Sequence, residues 1–369
     1  MRTFQCACNN ILYFDNSQCL ACGREAGFCP ACDNLVALLP LDQGGLQCGN
    51  AACGVQLQKC VNYATYNVCN RCVMAGDTTH AGFCDCCRFN DTIPDLSVVG
   101  NLEKWYRLEA AKRRLFYDLR KLGLPYGTAQ DGIAPPLSFD FKADVIPPND
   151  IWRGGNQGEK VFTSHDHGRI TINIREADSV ARESLRVEMK ETHRSLIGHF
   201  RHEIGHYYWD VLVLGRDEAA SKAVFGDHDN PTYDQALAIY YQNGAPLNWP
   251  ENFISAYSTM HPWEDFAETW AAYLDMCGSL DTAENVGFGG ESDPVHADFD
   301  AMIARYQQIG IANNELNRNM GILDAVPQVF VQPVIAKMRY IHGLVQRGRN
   351  ENAAIVGGAD PNQAVAAMA

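Results

Sequence analysis

All but one of the 15 cysteines fall between Cys6 and Cys87, and only Cys277 stands outside that stretch. They come in pairs. Cys6-x-Cys8 is followed by Cys19-x2-Cys22, and Cys29-x2-Cys32 by Cys48-x4-Cys53. The remaining Cys60, Cys69, Cys72, Cys84, Cys86 and Cys87 suffice for a third set. Between them lie short turns rich in Gly, Asn and Asp, with too few periodic apolar segments to build a core unaided. Four thiolates at about 2.3 Å around one zinc make a closed structural site, and the metal then supplies the folding energy that such a head lacks. The opening MRTFQCACNN has no apolar leader stretch, so the expectation is a cytoplasmic protein whose cysteines bind metal instead of forming disulfides. Cys6, Cys8, Cys19 and Cys22 make the first expected site; Cys29, Cys32, Cys48 and Cys53 make the second. For the third, spacing favours Cys69-x2-Cys72 with Cys84-x2-Cys87 and leaves Cys60 over.

Composition changes near residue 90. A chain of 369 residues exceeds what one core usually serves, and three parts are expected: a cysteine-rich head over 1–95, a body over 96–345 and a disordered polar tail over 346–369. NLEKWYRLEAAKRRLFYDLRKL (101–122) has helical periodicity and stops at Gly123, whereas 123–158 is rich in Pro and Gly and reads as irregular wrapping. VFTSHDHGRITINI (161–174) reads as a hairpin, with Ile170, Ile172 and Ile174 alternating and His165 and His167 as turn residues. Residues 177–214 and a piece near 235–242 are helical, as is HPWEDFAETWAAYLDMCG, where Pro262 suits the first turn and Gly278 the stop. The fold class expected is α+β, a metal-stapled head before a mainly helical body with a small β-sheet. No apolar run approaches the ~18 residues of a membrane span. The formal charge of −14 argues against a generic nucleic-acid binder.

Within the body, HFRHEIGHYYWD (199–210) contains HEIGH. On a helix His202 and His206 project from one face a turn apart, while Glu203 sits about 100° round, where it can act as a base without ligating. Such a catalytic site needs a third protein ligand and one open position. The histidine-type continuation is excluded, because Leu212 stands where it would need its third histidine. WEDFAETW offers the other solution: Glu264 as ligand, and Glu268 on the same face to accept a hydrogen bond from a ligand histidine. Asp265, His261 and His228 compete for the ligand position.

HFRHEIGHYYWD and HPWEDFAETWAAYL together resemble bacterial zinc-binding metallopeptidases that carry an N-terminal zinc-ribbon, and CRFNDTIPDL (87–96) resembles that family's CRLNxTIPDL junction. The resemblance runs from the ribbon to about residue 345 and implies a zincin-like body. It also implies Cys60, Cys69, Cys84 and Cys87 for the third structural zinc, against the spacing choice above. The set Cys29, Cys32, Cys48 and Cys53 goes beyond the family pattern and leaves the zinc count at two or three in the head. More distantly, the spacing is similar to glutamate-type zincins of the anthrax lethal factor kind, where a tyrosine stands seven residues before the ligand glutamate. That likeness implies Tyr257 as the donor to the developing oxyanion.

The reading is a zinc-dependent peptidase acting on a peptide or protein, with Glu203 as base, Tyr257 as oxyanion donor and ITINI along the cleft as an edge strand. The ribbon would serve structure or a protein partner. The alternatives are a catalytically silent adaptor and a protease recruited to nucleic acid. Residues 1–95 carry five Lys or Arg against eight Asp or Glu, which weakens the second.

Overall fold

The computed structural model describes residues 1–144, 161, 163–180, 182–183, 195–288 and 297–356. The head begins with a two-stranded ladder, β1 (Phe4–Gln5) and β2 (Ile11–Leu12). It continues as a five-stranded antiparallel meander of β3 (Ala26–Cys29), β4 (Asn34–Pro40), β5 (Leu46–Cys48), β6 (Gln56–Lys59) and β7 (Cys72–Met74), paired in chain order. A one-turn helix, α1 (Val61–Tyr66), bridges the last two strands.

The CRFNDTIPDL junction does not act as a linker. Its Asn90–Thr92 forms β8, which joins the sheet of the body in the order β10, β11, β9, β8. Here β9 is Ser138–Lys142, β10 Ser164–Asp166 and β11 Arg169–Asn173. β11 pairs antiparallel with β10 and parallel with β9, and β8 runs parallel to β9. The expected hairpin is β10–β11. Its turn, His167-Gly168, has both residues at positive φ (46° and 88°), the two-residue geometry that matches strand twist. ITINI, however, lies inside the sheet between β10 and β9; the edge strands among the described residues are β10 and β8. The SFDFK segment supplies β9, where irregular wrapping was expected, because Phe139 and Phe141 bury on the core. The rest of that expected wrapping, from 145 on, and residues 184–194 of the expected helical stretch lie outside the described residues.

Helices build the remainder: α2 (Asn101–Leu122), α3 (Leu196–Leu212), α4 (Glu218–Phe225), α5 (Tyr233–Asn243), α6 (Pro262–Asn285), α7 (Phe299–Asn319) and α8 (Gln332–Val356). Gly278 does not end α6. The Arg201 guanidinium lies against it, and a Cβ there would meet Arg201 Nη2 at 3.0 Å; the helix runs on to Asn285. α8 likewise passes Val345 to Val356, through the start of the expected tail; 357–369 lie outside the described residues. No helix among the described residues is long and apolar enough to cross a membrane.

One apolar core is continuous from Cys29 in the head through α2 to Val345 in α8. α2 faces both ways. Its Arg113 Nη1 donates to the Val68 carbonyl of the head at 2.6 Å, and its Glu109 accepts from Asn90 Nδ2 of the junction at 2.6 Å.

Candidate metal centre and cleft

α3 begins where Ser195 accepts a hydrogen bond from the Gly198 amide, and it carries HEIGH across the body. α6 begins where Pro262 fixes the first turn and His261 accepts from the Trp263 amide at 3.1 Å. The two helices cross closely because Gly205 has no side chain: a Cβ there would lie 2.9 Å from Ala267 Cα. That crossing delivers Glu264 to the two histidines.

His202 Nε2 lies 3.0 Å and His206 Nε2 3.5 Å from Glu264 Oε2, and the two nitrogens are 3.2 Å apart. Ligands about 2.0–2.1 Å from a tetrahedral zinc stand ~3.3 Å from one another, so the three atoms fit the edges of that polyhedron. The remaining atoms of these groups are held out of the way. Glu268 Oε1 is 2.7 Å from His202 Nδ1, which puts the proton on Nδ1 and leaves the Nε2 lone pair for a metal. Tyr233 of α5 donates to Glu264 Oε1 at 2.7 Å, so Oε2 alone faces the histidines. The His206 ring is fixed by packing, stacked on Trp263 at 3.5 Å.

The competitors for the ligand position are engaged elsewhere. Asp265 turns away to Lys337, 2.6 Å distant. His261 caps α6, and His228 packs edge-on against Trp209 at 5.1 Å. Glu203 is buried beside the three donors without joining them, and burial pushes its carboxyl up to about 7. Tyr257 sits half-buried in the short helical turn Tyr257–Thr259, its ring 6.2 Å from the His202 ring. Burial and then the Glu264 charge push its hydroxyl far up, so it stays protonated and able to donate.

His165 is not a turn residue. It occupies edge strand β10, buried, with Nε2 accepting the Gly168 amide at 2.9 Å and its ring 6.2 Å from that of His206. Burial holds its pKa down to about 3, so it is neutral. His167 is in the turn and exposed. Tyr233 was not singled out by sequence, because nothing periodic ties it to Glu264.

In the head the thiols gather as Cys6, Cys8, Cys19 and Cys22; as Cys29, Cys32, Cys48 and Cys53; and as Cys60, Cys69, Cys84 and Cys87. Sulfur pairs within these groups stand 3.7 Å (Cys6–Cys22, Cys8–Cys19, Cys32–Cys48), 3.8 Å (Cys69–Cys84) and 3.9 Å (Cys29–Cys53) apart. Tetrahedral zinc–thiolate geometry requires ~3.8 Å. The third group takes Cys60 and leaves Cys72, whose sulfur packs against Gly27 of β3.

A family model described as "Putative zinc-binding metallo-peptidase" matches residues 101–344, and one described as "zinc-ribbon domain" matches 3–98. The chain belongs to this metallopeptidase family. Proteins described only as uncharacterized, from Mycobacterium bovis and from two strains of Mycobacterium tuberculosis, are each 36% identical over 359 residues, covering 94% of this chain and 95% of theirs. No solved structure matches the chain. A zinc-binding metallopeptidase family with a zinc-ribbon accords with the chemistry of the donors: thiolates in closed fours in the head, and two imidazoles with one carboxylate in the body.

Proposed function

We propose that the protein is a zinc-dependent peptidase of the HExxH-plus-glutamate type, with His202, His206 and Glu264 holding the catalytic zinc. The observation that carries this is the convergence of three donor atoms on one point, with a buried carboxylate and a protonated tyrosine beside them. Bound there, zinc would acidify a water and polarise the scissile carbonyl. Glu203 takes the proton of the attacking water and passes it to the leaving amine. Burial raises the pKa of the Glu203 carboxyl, which favours its taking a proton, and a divalent cation alongside would pull it back down. Tyr257 donates a hydrogen bond to the oxygen that gains charge as the carbonyl becomes tetrahedral. Glu268 keeps His202 in the ligating tautomer, and Tyr233 keeps Glu264 to one oxygen. An extended peptide lies along β10, an edge strand among the described residues.

The head would hold three structural zincs, at Cys6/Cys8/Cys19/Cys22, Cys29/Cys32/Cys48/Cys53 and Cys60/Cys69/Cys84/Cys87. Thiolates gathered this way fit a reducing, cytoplasmic setting. A protein partner on the ribbon is compatible with this role. A silent scaffold would have no use for Glu203, an ionisable group kept buried beside the donors at a cost in stability.

Metal analysis with a peptide library tests the proposal. Purified protein should hold about four zinc per chain. Mild chelation should remove the HEIGH zinc first and abolish cleavage, and added zinc should restore it. Cleavage that survives loss of that metal would contradict the reading.

A further inference from the structure

Behind the catalytic tyrosine lies a cavity that the hydrolytic chemistry does not use. It has a volume of about 540 Å³ and is walled mainly by apolar side chains, among them Phe225, Ala236, Ile239, Phe253 and Met260. That volume falls within the range of small-molecule and side-chain pockets. The cavity is tied to the metal centre by shared residues. The segment that carries Tyr257 continues as Ser258, Thr259 and Met260 in its wall, and His261, the cap of the helix that bears Glu264, completes that side.

α5 makes the same connection from the other side. Tyr233, Ala236 and Tyr240 are spaced three and four apart, so they share one helix face. At one end of that face Tyr233 bonds Glu264; toward the other, Ala236 and Tyr240 line the cavity. The Tyr240 ring is 5.8 Å from the Tyr257 ring, which is 6.2 Å from the His202 ring. An extended peptide advances about 3.3 Å per residue. The cavity therefore lies within about four residues of a bond held at the metal. Its rim is apolar too: Ile239, a lining residue, is a large side chain left about half exposed.

The geometry points to this cavity as the subsite that selects the substrate: it receives one bulky apolar side chain, leucine- or phenylalanine-like, from the peptide being cut. The inference rests on the hydrolytic reading for its substrate but has its own readout in binding. Small polar residues would leave the cavity wet and gain nothing there, while an apolar side chain would exchange water for Phe225, Phe253 and Met260.

The test uses zinc-loaded Glu203→Gln protein, which can hold a peptide without cutting it, and fluorescent peptides in which leucine, phenylalanine or alanine is walked through each position. Anisotropy should show one position where leucine or phenylalanine binds about ten- to a hundredfold more tightly than alanine. Ala236→Phe fills the cavity and Ile239→Asp places a charge at its exposed rim. Each, in the Glu203→Gln background, should bring that ratio close to one, and the second should fold normally because its side chain faces solvent. A ratio near one at every position, or a ratio that neither substitution moves, would overturn the subsite. If apolar-dependent binding appears but wild-type protein cuts nothing, the subsite stands and the hydrolytic reading falls. If wild-type protein cuts with no apolar preference, the reverse holds.

Discussion

Tyr233 and Tyr257 both stand beside the three donors, yet their hydroxyls have different work. Tyr233 donates a hydrogen bond to Glu264 Oε1 at 2.7 Å and so, in the proposed site, acts on the ligand. Tyr257 is kept protonated, with its hydroxyl against that of Tyr233, and in the proposed mechanism it turns to a substrate oxygen. Tyr233→Phe should therefore weaken zinc at HEIGH by about ten- to a hundredfold, the usual effect of losing a ligand's hydrogen-bond partner. Competition with a chromophoric chelator measures it. Tyr257→Phe should keep its zinc and lose ~10²–10³ in turnover; a variant that keeps full activity would remove Tyr257 from the mechanism. Glu264→Ala should empty the same site, whereas Asp265→Ala, which breaks contacts with Lys337 and Thr269, should not. Much of this was legible. Glu268 follows Glu264 by one helical turn, and Glu203 follows from HEIGH. Tyr233 was invisible because its bond to Glu264 spans 31 residues from a different helix, and no sequence period encodes such a contact.

At the scale of elements, the sequence marks both helices that carry the donors but not how they meet. At Gly205 the two helices come close enough that a Cβ there would lie 2.9 Å from Ala267 Cα. Gly205→Ala sets two effects against each other. Helix propensity favours alanine by about 1 kcal/mol. The added methyl would stand 2.9 Å from Ala267 Cα, backbone that cannot simply swing aside, and overpacking typically costs about 1–3 kcal/mol. The variant should melt lower and bind zinc less tightly at HEIGH. A higher melting temperature with unchanged zinc affinity would show that the crossing relaxes freely. ITINI teaches a related lesson. Alternation reveals a strand and its buried face, but its neighbours depend on β9, which arrives from behind Pro135 and Pro136. Gly278 was misleading for the opposite reason: its missing side chain accommodates Arg201 instead of ending the helix.

Across the whole molecule, the change of composition near residue 90 looks like a boundary, yet the core ignores it. Glu109, Lys112 and Arg113 of α2 are charged yet only 0%, 0% and 1% exposed. They lie beside the third thiolate group: Cys87 Sγ is 4.0 Å from Glu109 Oε2, and the Cys69 charge acts on Arg113. Four thiolates on one zinc would carry a net charge of about −2, and the buried cations Lys112, Arg113 and Arg71 would offset part of it alongside their carboxylate partners Glu109, Asp15 and Asp85. Cys84→Ser should accordingly destabilise head and body together, in a single cooperative transition followed by circular dichroism. Cys8→Ser, in the group with two exposed thiols, should cost less. Two separate transitions in Cys84→Ser would mean that the ribbon folds independently. A zinc at HEIGH and Glu264 that serves hydrolysis is best tested by Glu203→Gln assayed beside wild type for zinc content and peptide cleavage. Equal zinc and at least ~10²-fold slower cleavage are expected; equal cleavage by the two proteins would contradict hydrolysis at this site.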